Sequence, residues 1–159
     1  MRFRIGLGFD LHRLEPGSQV ILGGVDIPHN KSFIAHSDGD VLCHAIVDAL
    51  LGAAGLGNIG QLFPDTDQQY KGMSSLLFIA RAANYLRQNG FQIENIDANV
   101  LAEKPKLIPH LPAMREKIAA AAGMPIDRIS VKAKTMEGIG VIGKEEAIAA
   151  EAVALISFE

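Results

Sequence analysis

The chain has a single cysteine, Cys43, among its 159 residues, so an internal disulfide is excluded and a reducing compartment suits it. It has no long basic run and a net charge of −3, which argues against nucleic acid as a partner. No apolar run reaches the roughly 18 residues that cross a bilayer. Met1–Gly8 is too short and too glycine-rich to be the apolar core of a signal peptide. Repeats, linkers and low-complexity segments are absent as well. A soluble, cytoplasmic protein is the expectation. What is present is apolar substance: 48% of the residues are hydrophobic, enough for one domain over residues 1–159 with a real core.

Periodicity divides the chain into strands and helices. Arg2–Leu14 reads as a strand interrupted by Gly6 and Gly8, and Gln19–Leu22 as a second strand turning at Gly23-Gly24. Val25–Ala35 reads as a polar loop. Asp38–Ala54 reads as a helix, with Ser37 as N-cap and Asp40 completing a capping-box-like pattern. Gly55–Lys71 is long for a connection, which points to a functional loop or lid. Helices are expected over Ser74–Gln88 and His110–Ala122, the second ending at Gly123. Strands are expected over Phe91–Ala102, Ile129–Thr135 and Ile148–Phe158. The elements intermix without strict β-α-β alternation, so the fold class is α+β, in a single domain.

The 38–54 helix is apolar nearly all round, which implies burial on most sides. Its exceptions, Asp40, His44 and Asp48, form one stripe at i, i+4, i+8. A buried polar stripe must be hydrogen-bonded, paired or metal-bound. For His44 alone, a hydrogen-bonded core histidine is the plainer reading. Asp10 and His12 alter that balance, because residues two apart on a strand share a face. Asp10, His12 and His44 then make a set of three nitrogen and oxygen ligands with one position open, the arrangement of a working zinc site. Asp40 and Asp48 are expected to orient the His44 imidazole from behind. Two G-x-G-x-x-G strings, Gly55–Gly60 and Gly138–Gly143, lack the strand-glycines-helix context of a dinucleotide site. The second is expected to lead only into turn and strand.

The strings GFDLH, AHSDGDVLCHAIVDALLGAAGLGNIG, LFPDTD and PKLIPHLPAMR together resemble the 2-C-methyl-D-erythritol 2,4-cyclodiphosphate synthase family, from about Arg4 to Leu155. The resemblance implies a mixed sheet covered by helices on one face and a homotrimer with active sites between subunits. It implies conversion of a cytidine diphosphate-linked methylerythritol 2-phosphate to a cyclic diphosphate and CMP, in non-mevalonate isoprenoid synthesis. It further implies Zn²⁺ on Asp10, His12 and His44, and a second divalent ion, Mg²⁺ or Mn²⁺, on the diphosphate near Glu137. His36 and Ser37 would hold substrate phosphate, and His36 and Thr135 would stabilise the transition state. Asn58, Ile59 and Gly60, with Phe63, Pro64, Asp65, Thr66 and Asp67, would line the methylerythritol end. Ala102, Glu103, Lys104, Pro105, Lys106, Leu107 and Ile108 would frame the cytidine. Lys134, Thr135, Met136 and Glu137 would meet the nucleotide phosphates, and Val141 and Lys144 complete the implied contacts.

Several residues depart from that family's pattern. Asn58 stands where GDIG has aspartate, and an amide donates as well as accepts. AKTMEGIG replaces an ATTTE-like stretch, adding the Lys134 charge and removing a hydroxyl at Met136. Lys144 and Glu145 replace the arginine and glycine of a GRGEG-like stretch. In the family that arginine faces the trimer axis, where a cavity can hold an isoprenoid diphosphate; lysine keeps the charge but not the bidentate fork. His36 and Ser37 are expected at a helix N-terminus, where free N–H groups favour anions. Two other readings remain open on sequence alone. One is a zinc phosphohydrolase with Asp40 or Asp48 as base; the other is a non-catalytic binder of cytidine nucleotides or isoprenoid diphosphates.

Overall fold

A computed structural model describes all residues from Met1 to Glu159. Its organising contact is between the first strand, β1 (Arg2–Pro16), and the first long helix, α1 (Val41–Ala54). A Cβ on Gly6 would lie 2.0 Å from the Ala49 carbonyl oxygen, and one on Gly8 would lie 1.9 Å from that of Ala45. Only glycine lets the helix backbone rest directly on the strand. These glycines therefore do not interrupt the strand, as the sequence reading expected: β1 runs unbroken, and they are where α1 sits down.

β1 pairs antiparallel with the last strand, β7 (Ala147–Phe158), over twelve residue pairs from Arg2↔Phe158 to Arg13↔Ala147. β7 pairs antiparallel with β5 (Gln92–Leu101), and β5 pairs parallel with β6 (Ile129–Lys134). β4 (Lys31–Phe33) closes the other edge beside β1, giving the order β4-β1-β7-β5-β6. β2 (Gln19–Leu22) and β3 (Val25–Pro28) form a separate hairpin. The expected polar loop over 25–35 is thus two short strands. Too few residues alternate there for the period to show, but their edges find partners.

The helices gather on one face of the mixed sheet, as the resemblance implied. α1 is buried along almost its whole length, including Val41, Leu42, Ile46, Leu50 and Leu51. Burying side chains of this size is worth about 1.5–3 kcal/mol each against leaving them in water. α3 (Ser75–Gln88) packs on α1, and α4 (Leu111–Ala122) on α3. Ile96, Ala98 and Val100 of β5 and Ile148, Ala150, Ala152 and Ala154 of β7 complete the core. The small alanines fit where the helix lies close. The other face of β1 carries Phe3, Ile5, Leu7, Phe9 and Leu11, all exposed. No helix is long and apolar enough to cross a membrane.

Helix boundaries differ from the expectation at one informative place. α1 starts at Val41, and its N-cap is Asp40 rather than Ser37. Asp40 accepts hydrogen bonds from Cys43 N at 3.0 Å, Gly23 N at 3.0 Å and Gly24 N at 2.7 Å, tying the helix to the β2–β3 turn. The 55–71 segment is not a bare loop. It folds as α2 (Ile59–Leu62) and a 3-10 turn at Gln68–Tyr70. Gly140–Gly143, to which the sequence reading assigned no element, forms one short helix, α5.

Candidate metal centre

The close seat of α1 on β1 brings His44 over Asp10 and His12. One donor atom from each of the three lies within 4.8 Å of the other two. Asp10 Oδ2 is 2.9 Å from His44 Nδ1 and 3.1 Å from His12 Nδ1. His12 Nδ1 is buried and makes no hydrogen bond of acceptable geometry, despite that short distance. An unpaired buried ring nitrogen aimed at a carboxylate is costly unless a cation completes it. The donor set is neutral imidazole plus carboxylate, which suits a divalent transition ion with an open position. The residues fit a metal.

Charge in the triad follows from the same contacts. Burial pushes the Asp10 carboxyl upward, but the close His12 and His44 rings, the second of them hydrogen-bonded to it, outweigh burial and hold the group well below the carboxylate range. Burial pulls the His44 ring down, yet the hydrogen bond and charge of Asp10, with Asp40 and Asp38 adding, raise it overall. A proton and a metal ion are alternative occupants of the space between Asp10 Oδ2 and His44 Nδ1.

The aspartates expected behind His44 do other work. Asp40 is fully buried and spends its oxygens on the backbone and on Cys43 Sγ, 3.2 Å away. Asp48 accepts from Ile59 N at 2.7 Å and so pins the start of α2. Neither touches the imidazole. Instead His44 Nε2 lies 2.8 Å from Ser75 Oγ and 3.3 Å from Ser37 Oγ. Ser75 Oγ in turn donates to Asp38 Oδ1, and Ser75 N donates to Asp38 Oδ2 at 2.7 Å. Nothing in the sequence signalled Ser75, which lies 31 residues from His44.

The triad forms one wall of a cavity of about 320 Å³. His36, Ser37, Ile59, Gly60, Phe63 and Asp65 also line it, as expected. Asp48, Tyr70 and Phe78 join them. Phe78 stacks on Phe63 with ring centroids 4.8 Å apart, and Tyr70 meets Phe63 edge-on at 5.6 Å. Aromatic residues at such spacing read as ordinary core, so Tyr70 and Phe78 carried no separate signal. Asn58, Pro64, Thr66 and Asp67 stand outside the wall: Asn58 caps α2 in a reciprocal box with Gln61, and Asp67 accepts from Gln69 N at 3.1 Å. His36 and Ser37 lie in the loop before Asp40, not at the first turn of α1, and the Cys43 N–H is already taken. The anion site expected from free helix donors is therefore not at that place.

The remaining expected residues cluster elsewhere. Ala102 to Ile108 follow β5, and Lys134 to Glu137 end and follow β6. The two segments meet: Ala102 N donates to Lys134 O at 2.9 Å, and Met136 N to Glu103 Oε2 at 3.2 Å. Asp10 pairs with Ala150, Ala150 with Val100, and Val100 with Ala133. Three strand steps of about 4.8 Å put that region about 14 Å from the triad. Val141 and Lys144, both exposed, sit on and just after α5, where Glu145 pairs with Lys104 at 3.4 Å. No group of three potential metal ligands forms around Glu137.

Comparison with known proteins agrees with this layout. A Burkholderia thailandensis protein named 2-C-methyl-D-erythritol 2,4-cyclodiphosphate synthase is 51% identical over 156 residues, covering 98% of this chain and 96% of its own. One of the same name from Thioalkalivibrio sulfidiphilus is 52% identical over 153 residues, 96% of each chain. Among solved structures, IspF of Plasmodium falciparum in complex with CDP matches with a TM-score of 0.86 at 36% identity, covering 99% of this chain and 97% of that one. The bifunctional IspDF of Campylobacter jejuni matches with a TM-score of 0.94 at 40% identity; the chain covers 43% of its length and is itself covered to 99%. Residues 3–157 match the YgbB family. Fold, donor triad and relatives coincide, and the chain belongs to the YgbB family of 2-C-methyl-D-erythritol 2,4-cyclodiphosphate synthases.

Proposed function

We propose that this chain converts 4-diphosphocytidyl-2-C-methyl-D-erythritol 2-phosphate to 2-C-methyl-D-erythritol 2,4-cyclodiphosphate and CMP. The observation that carries the reading is the Asp10-His12-His44 triad opening into a cavity walled by Ser37, Ile59, Gly60 and Phe63, in a chain of this family. The 2-phosphate oxygen forms a bond to the β-phosphorus as the bond from that phosphorus to the bridging oxygen of CMP breaks. The nucleophile is already on the substrate, so no serine or strong base is required. What the protein must supply is alignment and compensation of charge.

Asp10, His12 and His44 would hold a divalent ion, zinc in our reading, which would supply positive charge to the diphosphate. The chain's own residues do the rest. His36 and Ser37 hold phosphate beside the triad through hydrogen bonds. Ile59, Gly60, Phe63 and Asp65 shape the methylerythritol end, and Phe63, Tyr70 and Phe78 form an apolar side that limits water. Asn58 caps α2 through the same hydrogen bonds an aspartate accepts, which supports the tolerance of the amide there. Ala102–Ile108 frame cytidine, while Lys134, Thr135 and Met136 hold the nucleotide phosphates. Glu137 would hold the second divalent ion, Mg²⁺ or Mn²⁺, whose charge would offset that of the diphosphate.

These two groups of residues serve one site only across subunits. The sheet-wide separation of about 14 Å and the exposed apolar row on β1 support a homotrimer in which one chain's nucleotide loops face the next chain's triad. An uninterrupted apolar row of this size is rare on a monomer.

Turnover followed by phosphorus NMR tests the reading. Protein with Mg²⁺ should give CMP and a cyclic diphosphate, and lose both after zinc chelation. Linear phosphates alone would replace the synthase with a hydrolase, and CMP binding without turnover would replace it with a non-catalytic module.

A further inference from the structure

His44 must present Nδ1 as a lone pair to ligate a metal, and a neutral imidazole does so only with its proton on Nε2. What surrounds Nε2 therefore decides whether the ligand is prepared. The nearest partner is Ser75 Oγ at 2.8 Å, on a residue that is fully buried. A serine hydroxyl can turn either way, so by itself it leaves the tautomer open.

Asp38 removes that freedom. Its carboxylate only accepts, and it takes the Ser75 hydroxyl proton on Oδ1 and the Ser75 backbone N–H on Oδ2 at 2.7 Å. Asp40 N also donates to Oδ1, at 3.1 Å. With its proton committed to Asp38, Ser75 Oγ offers a lone pair toward His44. The Nε2 proton fills it. The direction of every hydrogen bond in the chain Asp38–Ser75–His44 follows from the one group that cannot donate.

We propose that Asp38 and Ser75 are positioning residues of the metal centre, holding the proton on His44 Nε2 and the ring in place so that Nδ1 faces the ion. The proposal rests on the metal reading above and deepens it. It also gives Asp38 two tasks, since the same carboxylate serves the first N–H of α3, where Ser74 makes no side-chain cap. The packing of α3 and the orientation of the ligand are thereby joined: α3 cannot shift without moving the imidazole's partner.

A purely structural role predicts something different. If Asp38 and Ser75 only secure the start of α3, removing the Ser75 hydroxyl leaves the Asp38 bond to its N–H and leaves metal affinity unchanged. Ser75→Ala makes that cut. Zinc affinity of the full-length protein is measured by competition with a chromophoric chelator, and the Co²⁺-loaded protein is compared by visible absorption. Folding is checked by circular dichroism. Loss of such a partner typically weakens metal binding about ten- to a hundredfold. We expect that loss in Ser75→Ala, a changed Co²⁺ spectrum, and a loss in the same direction for the near-isosteric Asp38→Asn. Affinities within about twofold of the wild type in folded variants, below the tenfold floor, would overturn the proposal.

Unmutated protein provides a test that no folding defect can obscure. In ¹⁵N-histidine NMR of the zinc-loaded wild type, His44 should show a slowly exchanging Nε2–H bonded to an oxygen. A rapidly exchanging proton there would also overturn it. Failure of the wild type to bind zinc at all would instead defeat the metal reading itself.

Discussion

Replacing Gly8 by alanine tests whether the contact between α1 and β1 builds the site. The added Cβ would stand 1.9 Å from the Ala45 carbonyl oxygen, whereas ordinary contact begins at 3.4 Å. The difference, 3.4 − 1.9 = 1.5 Å, must come from backbone, because the obstructing atom belongs to the helix itself. Overpacking of this kind costs about 1–3 kcal/mol and more when no side chain can give way. We expect about 3 kcal/mol lost in urea denaturation, near the top of that range. His44 precedes Ala45 and moves with it. Ligand distances tolerate only about 0.2 Å, so zinc affinity should fall by more than about tenfold. Gly52→Ala is the control: it sits in the same helix, its Cβ would approach nothing nearer than 3.9 Å, and it should be neutral or slightly stabilising. A Gly8→Ala protein within about 0.5 kcal/mol of the wild type, with unchanged zinc affinity, would refute the reasoning.

Other perturbations separate the parts of the structure. In the metal-free protein the stability owed to His44, read as the melting temperature of the wild type minus that of His44→Ala, should be larger at about pH 5.5 than at about pH 8, because His44 is raised and its contribution, whole below 6.5, is lost as pH rises through its folded value. The depressed Asp10 keeps its share throughout that window, losing it only as pH falls below 3.8 through its folded value. Saturating zinc should reverse the trend, since the bound ring carries no Nδ1 proton; melts without that reversal would contradict the exchange of proton for metal. Asp40→Ala strands the N–H groups of Gly23, Gly24 and Cys43 and should cost about 3 kcal/mol in urea titration. A loss under about 1 kcal/mol would show that water replaces the carboxylate there. Leu7→Asp, on the open face of β1, should leave the chain folded but reduce its size in sedimentation; an unchanged size would rule that face out as the interface.

The triad was legible because each of its members obeys a short-range rule: Asp10 and His12 alternate on a strand, and His44 is a polar exception on an apolar helix. Burial of that helix was equally legible. The neighbours of His44 were not. Spacing put Asp40 beneath the imidazole, but Asp40 stands before the first turn, at ψ 87°, and its carboxylate folds back onto the helix start. Asp38 and Ser75 are 37 residues apart, and no periodic pattern links a loop aspartate to a helix-opening serine. Gly6 and Gly8 read as breaks because glycine weakens an isolated strand; only the arrival of α1 turns them into a requirement. The short strands β3 and β4 were hidden for the opposite reason, being brief and held by their partners.

The distance between the triad and the proposed nucleotide loops bears on how defects combine. In the proposed ring each site draws its metal half from one chain and its nucleotide half from the next. A variant lacking His44 and a variant lacking Thr135 should each be inactive alone. Unfolded together and reassembled, they should complement: every mixed ring contains one junction where two intact halves meet. With random assembly about three quarters of rings are mixed, so about a quarter of wild-type activity should return. Two dead proteins would make a living one, while a chain with one defective half would cost a ring a single site and leave the others working.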